Sequence, residues 1–322
     1  MKKMLALLAV LALLGHSSVQ AQPLSSQEVG RTLQGTITIS GAFALYPMVV
    51  KWAEEFRKLF PRVRFDISAG GAGKGIADAL ADMVDIGMVS REVHPLEIQK
   101  GAWFIAVTKD AVVAVINQAN PLVKELLKKG IKKADFARIW LNEEPPTWNE
   151  LVGTRGNNQV HVYTRSDSCG AAETWAQYFG NNQEDLQGIG VFGDPGLNEA
   201  VRKDALGIGF NNINFAYDAT SLQPMAGTVV LPIDLDGNGR IDPQENFYGN
   251  RAAIIKAIAN DKYPSPPARD LYFVCKGQPK KQLVAAFMKW VLNEGQKFVG
   301  QAGYIALSKA KLSLGLSRIG QQ

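Results

Sequence analysis

A short apolar strand that runs into a small-residue turn and then into a helix occurs three times in this 322-residue chain. The first copy lies in residues 36–60, the second in 63–83 and the third in 161–179. An alternation of strand, turn and helix is typical of α/β proteins with a parallel sheet, in which ligands bind to the turns at the carboxyl ends of the strands. The sequence therefore predicts an α/β fold whose ligand site is assembled from several turns.

The third turn carries a signal for an anion. Arg165 stands just before a helix predicted over residues 171–179, and Gly180 suits the left-handed position that follows such a helix. The first N–H groups of a helix have no partner within it, and the positive end of the helix dipole lies there, so the turn attracts negative charge. Arg165 would complete an oxyanion clamp. Alternatively, Arg165 pairs with Asp167 or a surface carboxylate, and the turn only caps the helix.

The second turn, residues 70–75, is rich in glycine but is not a nucleotide P-loop. That motif requires a glycine where this chain has Ser68, and a serine or threonine after the lysine where it has Gly75. The glycines permit a close backbone approach at the start of a helix predicted over 76–83. The other interpretation is a tight connection between a strand and a helix.

Residues 1–21 predict a secretory signal peptide, because two lysines precede a short apolar run and small residues end at Ala21. That run is too short to span a bilayer, and no later segment reaches the ~18 apolar residues of a membrane helix. The two cysteines, Cys169 and Cys275, lie far from the predicted cleavage site, so we expect no lipid anchor and a periplasmic location. We expect these cysteines to remain separate thiols.

The formal net charge is +5, from 35 basic and 30 acidic residues, and falls to +3 once Lys2 and Lys3 are removed with the signal peptide. No dense basic tract with interleaved aromatic residues is present, so we expect no nucleic-acid partner. A mature chain of roughly 300 residues is long enough for two compact domains. We expect it to be a monomer.

Residues 234–245 match the calcium-loop pattern at every specified position. A glycine occupies the sixth position, where the loop must turn sharply, and the flanking segments do not form a full EF-hand. A single loop outside the cytosol is expected to hold a structural calcium ion; a polar turn that matches by chance is the alternative. The predicted ligands are the side chains of Asp234, Asp236, Asn238, Asp242 and Glu245 and the main-chain carbonyl of Arg240.

The rest of the chain predicts two crossings between lobes, near Val115 and near Asp270. Lobe 1 would then be discontinuous, with residues 22–115 and 271–322, and lobe 2 would comprise residues 116–270. Further expected elements are a turn at Lys109–Asp110, helices over 121–133, 135–142 and 282–292, and a strand over 271–275.

Six segments, taken in their order and spacing, point to a known family: residues 39–47, 70–76, 84–91, 165–170, 207–210 and 215–217. In these segments the chain resembles the periplasmic phosphate-binding proteins of the high-affinity phosphate ABC transporter. The resemblance implies a type II periplasmic binding protein, with two α/β lobes joined by two hinge strands and closing on a dehydrated oxyanion. It also implies phosphate as ligand and an ABC permease in the inner membrane as partner.

The resemblance further implies that the anion is held mainly by main-chain N–H groups and one guanidinium. The corresponding residues here are Ala44, Leu45, Ala72, Ser90, Arg165, Cys169, Gly170 and Ala171. This chain lacks hydroxyl groups where the family usually has Ser or Thr, and Lys74 stands where a small residue is common. Because a hydrogen bond to a charge contributes about 1.5–3 kcal/mol, we expect weaker binding than in the family, with phosphate the default ligand. The positions without a hydroxyl are Ala42, Phe43, Ala44, Ala72, Cys169 and Ala171.

Two other functions are compatible with these residues. A phosphatase-like enzyme would use Cys169 as nucleophile, its pKa lowered by the helix N-terminus and Arg165, with His161 nearby in sequence. A binding lobe of the same fold would serve another anion, or adhesion or sensing. The favoured interpretation is a binding protein without catalysis.

Overall fold

The computed structural model describes residues 33–320, whose strands form a nine-stranded mixed sheet and a separate two-stranded sheet, β5 with β10. The strands are β1 (Gly35–Gly41), β2 (Val63–Ala69), β3 (Ile86–Val89), β4 (Ala102–Asn117), β5 (Ile131–Lys132), β6 (His161–Arg165), β7 (Ile189–Val191), β8 (Gly207–Asn212), β9 (Thr228–Val230), β10 (Ile233–Asp234) and β11 (Ala268–Lys276). The helices are α1 (Tyr46–Leu59), α2 (Ala72–Leu80), α3 (Pro95–Gln99), α4 (Val123–Lys129), α5 (Lys133–Leu141), α6 (Trp148–Val152), α7 (Gly170–Phe179), α8 (Gly193–Lys203), α9 (Ile213–Ala216), α10 (Arg251–Ala259), α11 (Gln282–Leu292) and α12 (Lys309–Gly320).

The main sheet has the strand order β2-β1-β3-β11-β4-β8-β6-β7, and β9 also pairs with β4. At one end β1 runs parallel to β2 and β3, and at the other β6 runs parallel to β7 and β8. In the middle β11 and β4 are antiparallel and belong to both halves. The long strand β4 has 16 residues, enough to continue from one lobe into the other.

Two hydrophobic cores lie on the two sides of this pair. The first core centres on Ile37, Trp52, Phe56 and the inward face of α11, and the second on Trp140, Trp175 and Phe210. The apolar side chains of α1 recur at helical spacing and are buried, which explains why this segment is a helix that covers the sheet. Pro47 lies in the first turn of α1, where its missing N–H is not needed.

These findings confirm the predicted two-lobed α/β fold class, but several local predictions were wrong. Residues 109–110 do not form a turn, because Asp110 pairs with Arg269 in the ladder between β4 and β11. The helix predicted over 76–83 begins at Ala72, so the glycine-rich loop forms its first turn. The helix predicted over 121–133 is shorter, since Gly130 ends it with a positive φ of 68° and β5 follows.

Cys169 and Cys275 are both buried and are not joined by a disulfide. Within residues 33–320, no helix has the length and apolar character needed to cross a membrane. The predicted signal peptide, residues 1–21, lies outside the described residues.

Candidate functional site

Turns from both lobes meet at one place. Lobe 1 contributes the turns after β1, β2 and β3, and lobe 2 contributes the turn between β6 and α7. The N–H of Gly73 donates to the carbonyl of Ser168 over 3.1 Å, which joins the start of α2 to the lobe 2 turn. The structure therefore brings the sequence-predicted residues of the two lobes together.

Gly170, the first residue of α7, packs closely against the other lobe. A Cβ atom built on Gly170 would lie 2.2 Å from the carbonyl oxygen and 2.3 Å from the Oγ of Ser90, which follows β3. Only glycine fits here, because real Cβ contacts essentially never fall under 3.0 Å. Ser90 is only 2% exposed, so this contact seals part of the space between the lobes.

Main-chain N–H groups are the donors that this meeting point offers. Among the described residues, the N–H groups of Ala44, Ala72, Gly170 and Ala171 have no acceptor. The N–H of Leu45, by contrast, donates to the carbonyl of Ala42 over 3.1 Å. The side chains at 44, 72 and 171 are methyl groups that are at most 1% exposed, so they add no polar atom. The free donors are thus backbone amides at three helix starts, a pattern that suits a negative group.

Arg165 lies close to Phe43 and Cys169, the residues that precede Ala44 and Gly170, but it is already paired twice. Its Nε and Nη2 donate to the two oxygens of Asp167 over 2.8 and 2.6 Å, and its Nη1 donates to Asp194 over 2.7 Å. Burial disfavours the charged guanidinium, yet Asp194, Cys169 and Asp167 hold the pKa of Arg165 above its usual value. The pairing with Asp167 considered from the sequence is present, and Asp194 is a second partner that the sequence did not indicate.

An aromatic side chain of lobe 1 covers this arginine. The ring of Phe43 lies over the guanidinium of Arg165, with 5.6 Å between the ring centroid and Cζ. The same ring meets Phe192 edge to face at 5.9 Å, and its tip contacts Gly193. A cation–π contact of this kind contributes about 0.5–2 kcal/mol. Phe43 therefore helps to hold the lobes together where a hydroxyl donor was missing.

Cys169 caps α7 and is not activated. Its Sγ accepts a hydrogen bond from the N–H of Ala172 over 3.4 Å. Burial raises the pKa of the Cys169 thiol to about 12, although Arg165 opposes the shift. His161 points elsewhere, since its Nδ1 lies 2.7 Å from Asp204. The enzyme alternative requires a lowered pKa for the Cys169 thiol, and that prediction is wrong.

Lys74 does not reach the meeting point of the lobes. Its Nζ pairs with Asp78 one turn along α2, and its aliphatic stem lies against Gly70. Asp78 also accepts a hydrogen bond from the Oγ of Ser40 over 2.6 Å. Lys74 therefore stabilises its own helix and does not replace the missing hydroxyl donors.

A buried polar network continues from Arg165 to the strands that link the lobes. Asp194 accepts hydrogen bonds from the N–H and Nδ2 of Asn212 over 3.0 and 2.7 Å, and Asn212 accepts one from Nη2 of Arg269. Arg269 on β11 faces Asp110 on β4. Sequence reasoning missed this network. The available signal was the pair of adjacent charged residues within each of two largely apolar strands, Lys109 and Asp110 in β4 and Arg269 and Asp270 in β11.

Polar side chains of the predicted calcium loop, residues 234–245, contact one another. Carboxylate oxygens of Asp234, Asp236 and Glu245 lie within 4.8 Å of one another. Asn238 donates to Asp236 and Asp242, and Nε of Arg240 lies 2.8 Å from Asp242. The strand β10 at the start of the loop pairs with β5. Asp234 and Glu245 are 3% and 4% exposed, so two buried carboxylates and a third nearby form a donor set of the kind that Ca²⁺ binds.

Two lobes that meet around unpaired helix N-termini define a bilobal ligand-binding protein. Residues 26–294 match the family model of the PBP superfamily domain, and the chain belongs to this superfamily. The predicted family is thereby confirmed, since its similar relatives include the phosphate-binding protein PstS of Bacillus subtilis and that of Pseudomonas aeruginosa. The first is 25% identical and covers 87% of this chain and 83% of its own length; the second is 26% identical and covers 88% of each.

Solved structures support the fold. A substrate-binding protein assigned to phosphate ABC transport in Clostridium perfringens, with bound phosphate, superposes with a TM-score of 0.68 at 22% identity. The match covers 85% of this chain and all of the other. An ABC-type phosphate transport receptor from Vibrio cholerae gives a TM-score of 0.61 at 19% identity, over 84% of this chain and all of the other. Both relatives are named as phosphate-binding proteins.

Proposed function

We propose that this chain is an extracytoplasmic substrate-binding protein that captures an oxyanion, phosphate by default, for an ABC importer. The observation that carries the proposal is the group of unpaired backbone amides from both lobes beside Arg165. The ligands named for its relatives support phosphate as the default. The proposed ligand residues are Ala44, Leu45, Ala72, Ser90, Arg165, Cys169, Gly170 and Ala171.

Backbone amides suit this role because they are fixed before the ligand arrives. An anion between the lobes would receive N–H donors from α2 and α7 together with the positive ends of their dipoles. Each bond to a charge contributes about 1.5–3 kcal/mol in a site that excludes water. Leu45 and Cys169 take part less directly, since the Leu45 N–H and the Cys169 main-chain N–H already have acceptors in Ala42 and Gln183.

The same geometry limits affinity. Arg165 shares its charge with two carboxylates, and the neighbouring methyl groups offer no hydroxyl. The guanidinium therefore acts less as a free cation than as a donor held in one orientation. We infer binding weaker than a site with a full set of hydroxyl donors would give.

The remaining parts of the proposal follow from the family and from the start of the chain. Residues 1–21 would direct export, and the mature protein would deliver its ligand as a monomer to a permease of the inner membrane. A catalytic role is disfavoured because the Cys169 thiol, with its pKa raised to about 12, is protonated at neutral pH.

Equilibrium titration of protein freed of ligand by unfolding and refolding tests the proposal. Phosphate, arsenate, sulfate, molybdate and tungstate are titrated separately, and we expect saturable binding of phosphate with one site per chain. Arg165→Ala should abolish binding, because it leaves Asp167 and Asp194 as uncompensated negative charges beside the ligand. Arg138→Ala, which removes a half-exposed arginine that also contacts two carboxylates, is the matched control.

Circular dichroism must show that both variants are folded. Phosphate affinity that is unchanged in folded Arg165→Ala would place the site elsewhere. Binding of none of the five anions would favour the adhesion or sensing alternative.

We also propose that Asp234, Asp236, Asn238, the carbonyl of Arg240, Asp242 and Glu245 hold a structural calcium ion. Three carboxylates within 4.8 Å repel one another, and a divalent cation would relieve that repulsion. The loop also donates a hydrogen bond to α4, from the Ile241 N–H to the Lys128 carbonyl over 2.9 Å. Bound calcium would therefore stabilise the packing of the loop against α4.

A further inference from the structure

The strands that link the lobes carry a carboxyl group for which the proposed function has no use. Asp110 on β4 is fully buried, and within the described residues neither of its oxygens has a hydrogen-bond partner of good geometry, although the adjacent N–H of Ala111 lowers its pKa. Its ladder partner is Arg269 on β11, whose Nε and Nη1 also lack partners there. A buried carboxylate without well-placed donors is costly to keep ionised.

Asp110 connects to both halves of the anion site. Towards lobe 2, Arg269 donates to Asn212, Asn212 donates to Asp194, and Asp194 accepts from Arg165. Towards lobe 1, the charge of Asp110 acts on Tyr304, whose hydroxyl donates to the carbonyl of Ala44 over 2.7 Å. A change in the charge of Asp110 therefore changes the electrostatic environment of Arg165 and of the turn that precedes α1.

The charges of this network do not balance. Two guanidinium groups, of Arg165 and Arg269, face three carboxyl groups, of Asp110, Asp167 and Asp194. The network carries a net charge of −1 when all three carboxyls are ionised, and it is neutral when one of them holds a proton. An anion that enters beside Arg165 adds further negative charge to a buried region, which favours the neutral state.

The number of donors decides which carboxyl takes the proton. Asp167 accepts two hydrogen bonds from Arg165 and one from the N–H of Gly193. Asp194 accepts one from Arg165 and two from Asn212. Asp110 accepts none of comparable geometry from any described residue, and only the adjacent N–H of Ala111 favours its ionised form as a donor. Protonation of Asp110 therefore sacrifices the least hydrogen-bond energy of the three carboxyl groups.

We propose that oxyanion binding between the lobes is coupled to proton uptake by Asp110, which makes ligand affinity sensitive to pH through the strands that link the lobes. The inference rests on the proposed function, because it requires an anion beside Arg165. Arg269 lines a cleft of about 270 Å³ between the lobes and is 8% exposed, which gives protons a route to Asp110.

The surroundings of Asp110 support titration near neutral pH. Burial raises the pKa of Asp110 to about 7, the charge of Arg269 on β11 and the N–H of Ala111 oppose the shift, and the charge of Asp194 on α8 adds to it. Tyr304 is protonated there, because burial and then the charge of Asp110 raise its pKa. Cys169 and Tyr263, which also lie near Arg269, are protonated too, because burial raises the pKa of the Cys169 thiol to about 12 and raises the pKa of Tyr263 well above its usual value.

Calorimetry of phosphate binding in buffers of different ionisation enthalpy counts the protons taken up. Phosphate itself titrates near pH 7, so the contrast between variants isolates the protein group. At pH 8 we expect the full-length mature protein to take up more protons, by as much as one, than Asp110→Asn. Above pH 7 the Kd of the wild-type protein for phosphate should rise more steeply with pH than that of Asp110→Asn, by a further factor of up to about ten per pH unit. Asp270→Asn, which removes the neighbouring carboxyl on β11 that pairs with Lys311, is the matched control and should behave as wild type.

Equal proton counts in wild type and Asp110→Asn would overturn this inference while leaving the proposed function intact. Binding of no oxyanion would overturn both. If Asp110→Asn does not fold, ¹³C NMR of aspartate carboxyl groups in the wild-type protein decides. One carboxyl that titrates near pH 7 and moves to higher pKa with phosphate supports the inference, and no carboxyl titrating above pH 6 refutes it.

Discussion

Replacing Gly170 by alanine tests whether ligand binding requires the contact between the lobes seen here. The added Cβ would lie 2.2 Å from the carbonyl oxygen of Ser90, whereas ordinary contacts begin at 3.4 Å. The turn of α7 must therefore move away from Ser90 by about 1.2 Å. The φ angle of Gly170 is not in the left-handed region, so alanine introduces no backbone strain of its own.

The expected effect is on binding more than on folding. Overpacking of this kind costs about 1–3 kcal/mol, and it applies only while the lobes touch. At about 1.4 kcal/mol per tenfold, phosphate affinity should fall roughly 5-fold to 150-fold. The melting temperature without ligand should change little, because alanine is a better helix former than glycine at the start of α7.

Calorimetric titration with phosphate gives the Kd, and thermal unfolding without ligand gives the control for stability. Gly249→Ala is the matched variant, because a Cβ there meets no atom within 4 Å and no positive φ is involved. It should bind phosphate as wild type does. Phosphate affinity in Gly170→Ala equal to that of Gly249→Ala would refute the argument that the ligand is held between closed lobes.

Three further predictions concern single groups. Native Cys169 should react with iodoacetamide at pH 8 far more slowly than after unfolding, because burial raises its thiol pKa to about 12; equal rates would contradict its burial. If calcium is present at about 100 times its Kd, its removal with EGTA should lower the melting temperature by about 5 °C or more. Glu245→Gln should abolish that shift, whereas the control Glu143→Gln, at an exposed position, should keep it. As the pH rises from 5 to 7, the free energy of unfolding should fall more steeply in wild type than in Asp110→Asn, by up to about 1.4 kcal/mol per pH unit. The reason is that Asp110 keeps its proton to about pH 7 in the folded state but loses it at lower pH in the unfolded state. Parallel pH profiles of the two proteins would contradict this.

Much of the fold followed from local pattern. The strands and helices of the three repeats were predictable because apolar residues recur at regular spacing and glycine or proline marks their ends. The helix of residues 282–292 was predicted with its observed bounds, since its inward face has four apolar residues at helical spacing. Gly180 adopts the left-handed conformation expected after α7, with φ of 85°.

The strands that link the lobes were predicted less well, because their charged residues are long-range partners. Lys109 and Asp110 indicate a turn when the sequence is considered locally. Only the pairing with Arg269, more than 150 residues later, makes Asp110 a strand residue. Propensity cannot anticipate such a partner, since tertiary pairing overrides it.

The candidate site was predictable in position but not in electrostatics. Glycine-rich turns and helix starts indicated where the lobes would meet. The second carboxylate on Arg165 comes from Asp194, in the first turn of another helix, and nothing in the spacing of the two residues indicates that they touch. From the sequence, position 43 was notable only for lacking a hydroxyl group, whereas the structure shows that the Phe43 ring covers the guanidinium of Arg165.

The central claim is that main-chain N–H groups at helix starts hold a small anion between the lobes. Assigned ¹H–¹⁵N NMR spectra during a phosphate titration test it most directly, because they report on each amide separately. We predict that the amide signals of Ala72, Gly170 and Ala171 shift downfield and saturate together at one phosphate per chain. Saturable phosphate binding that leaves these three signals unchanged would contradict the account.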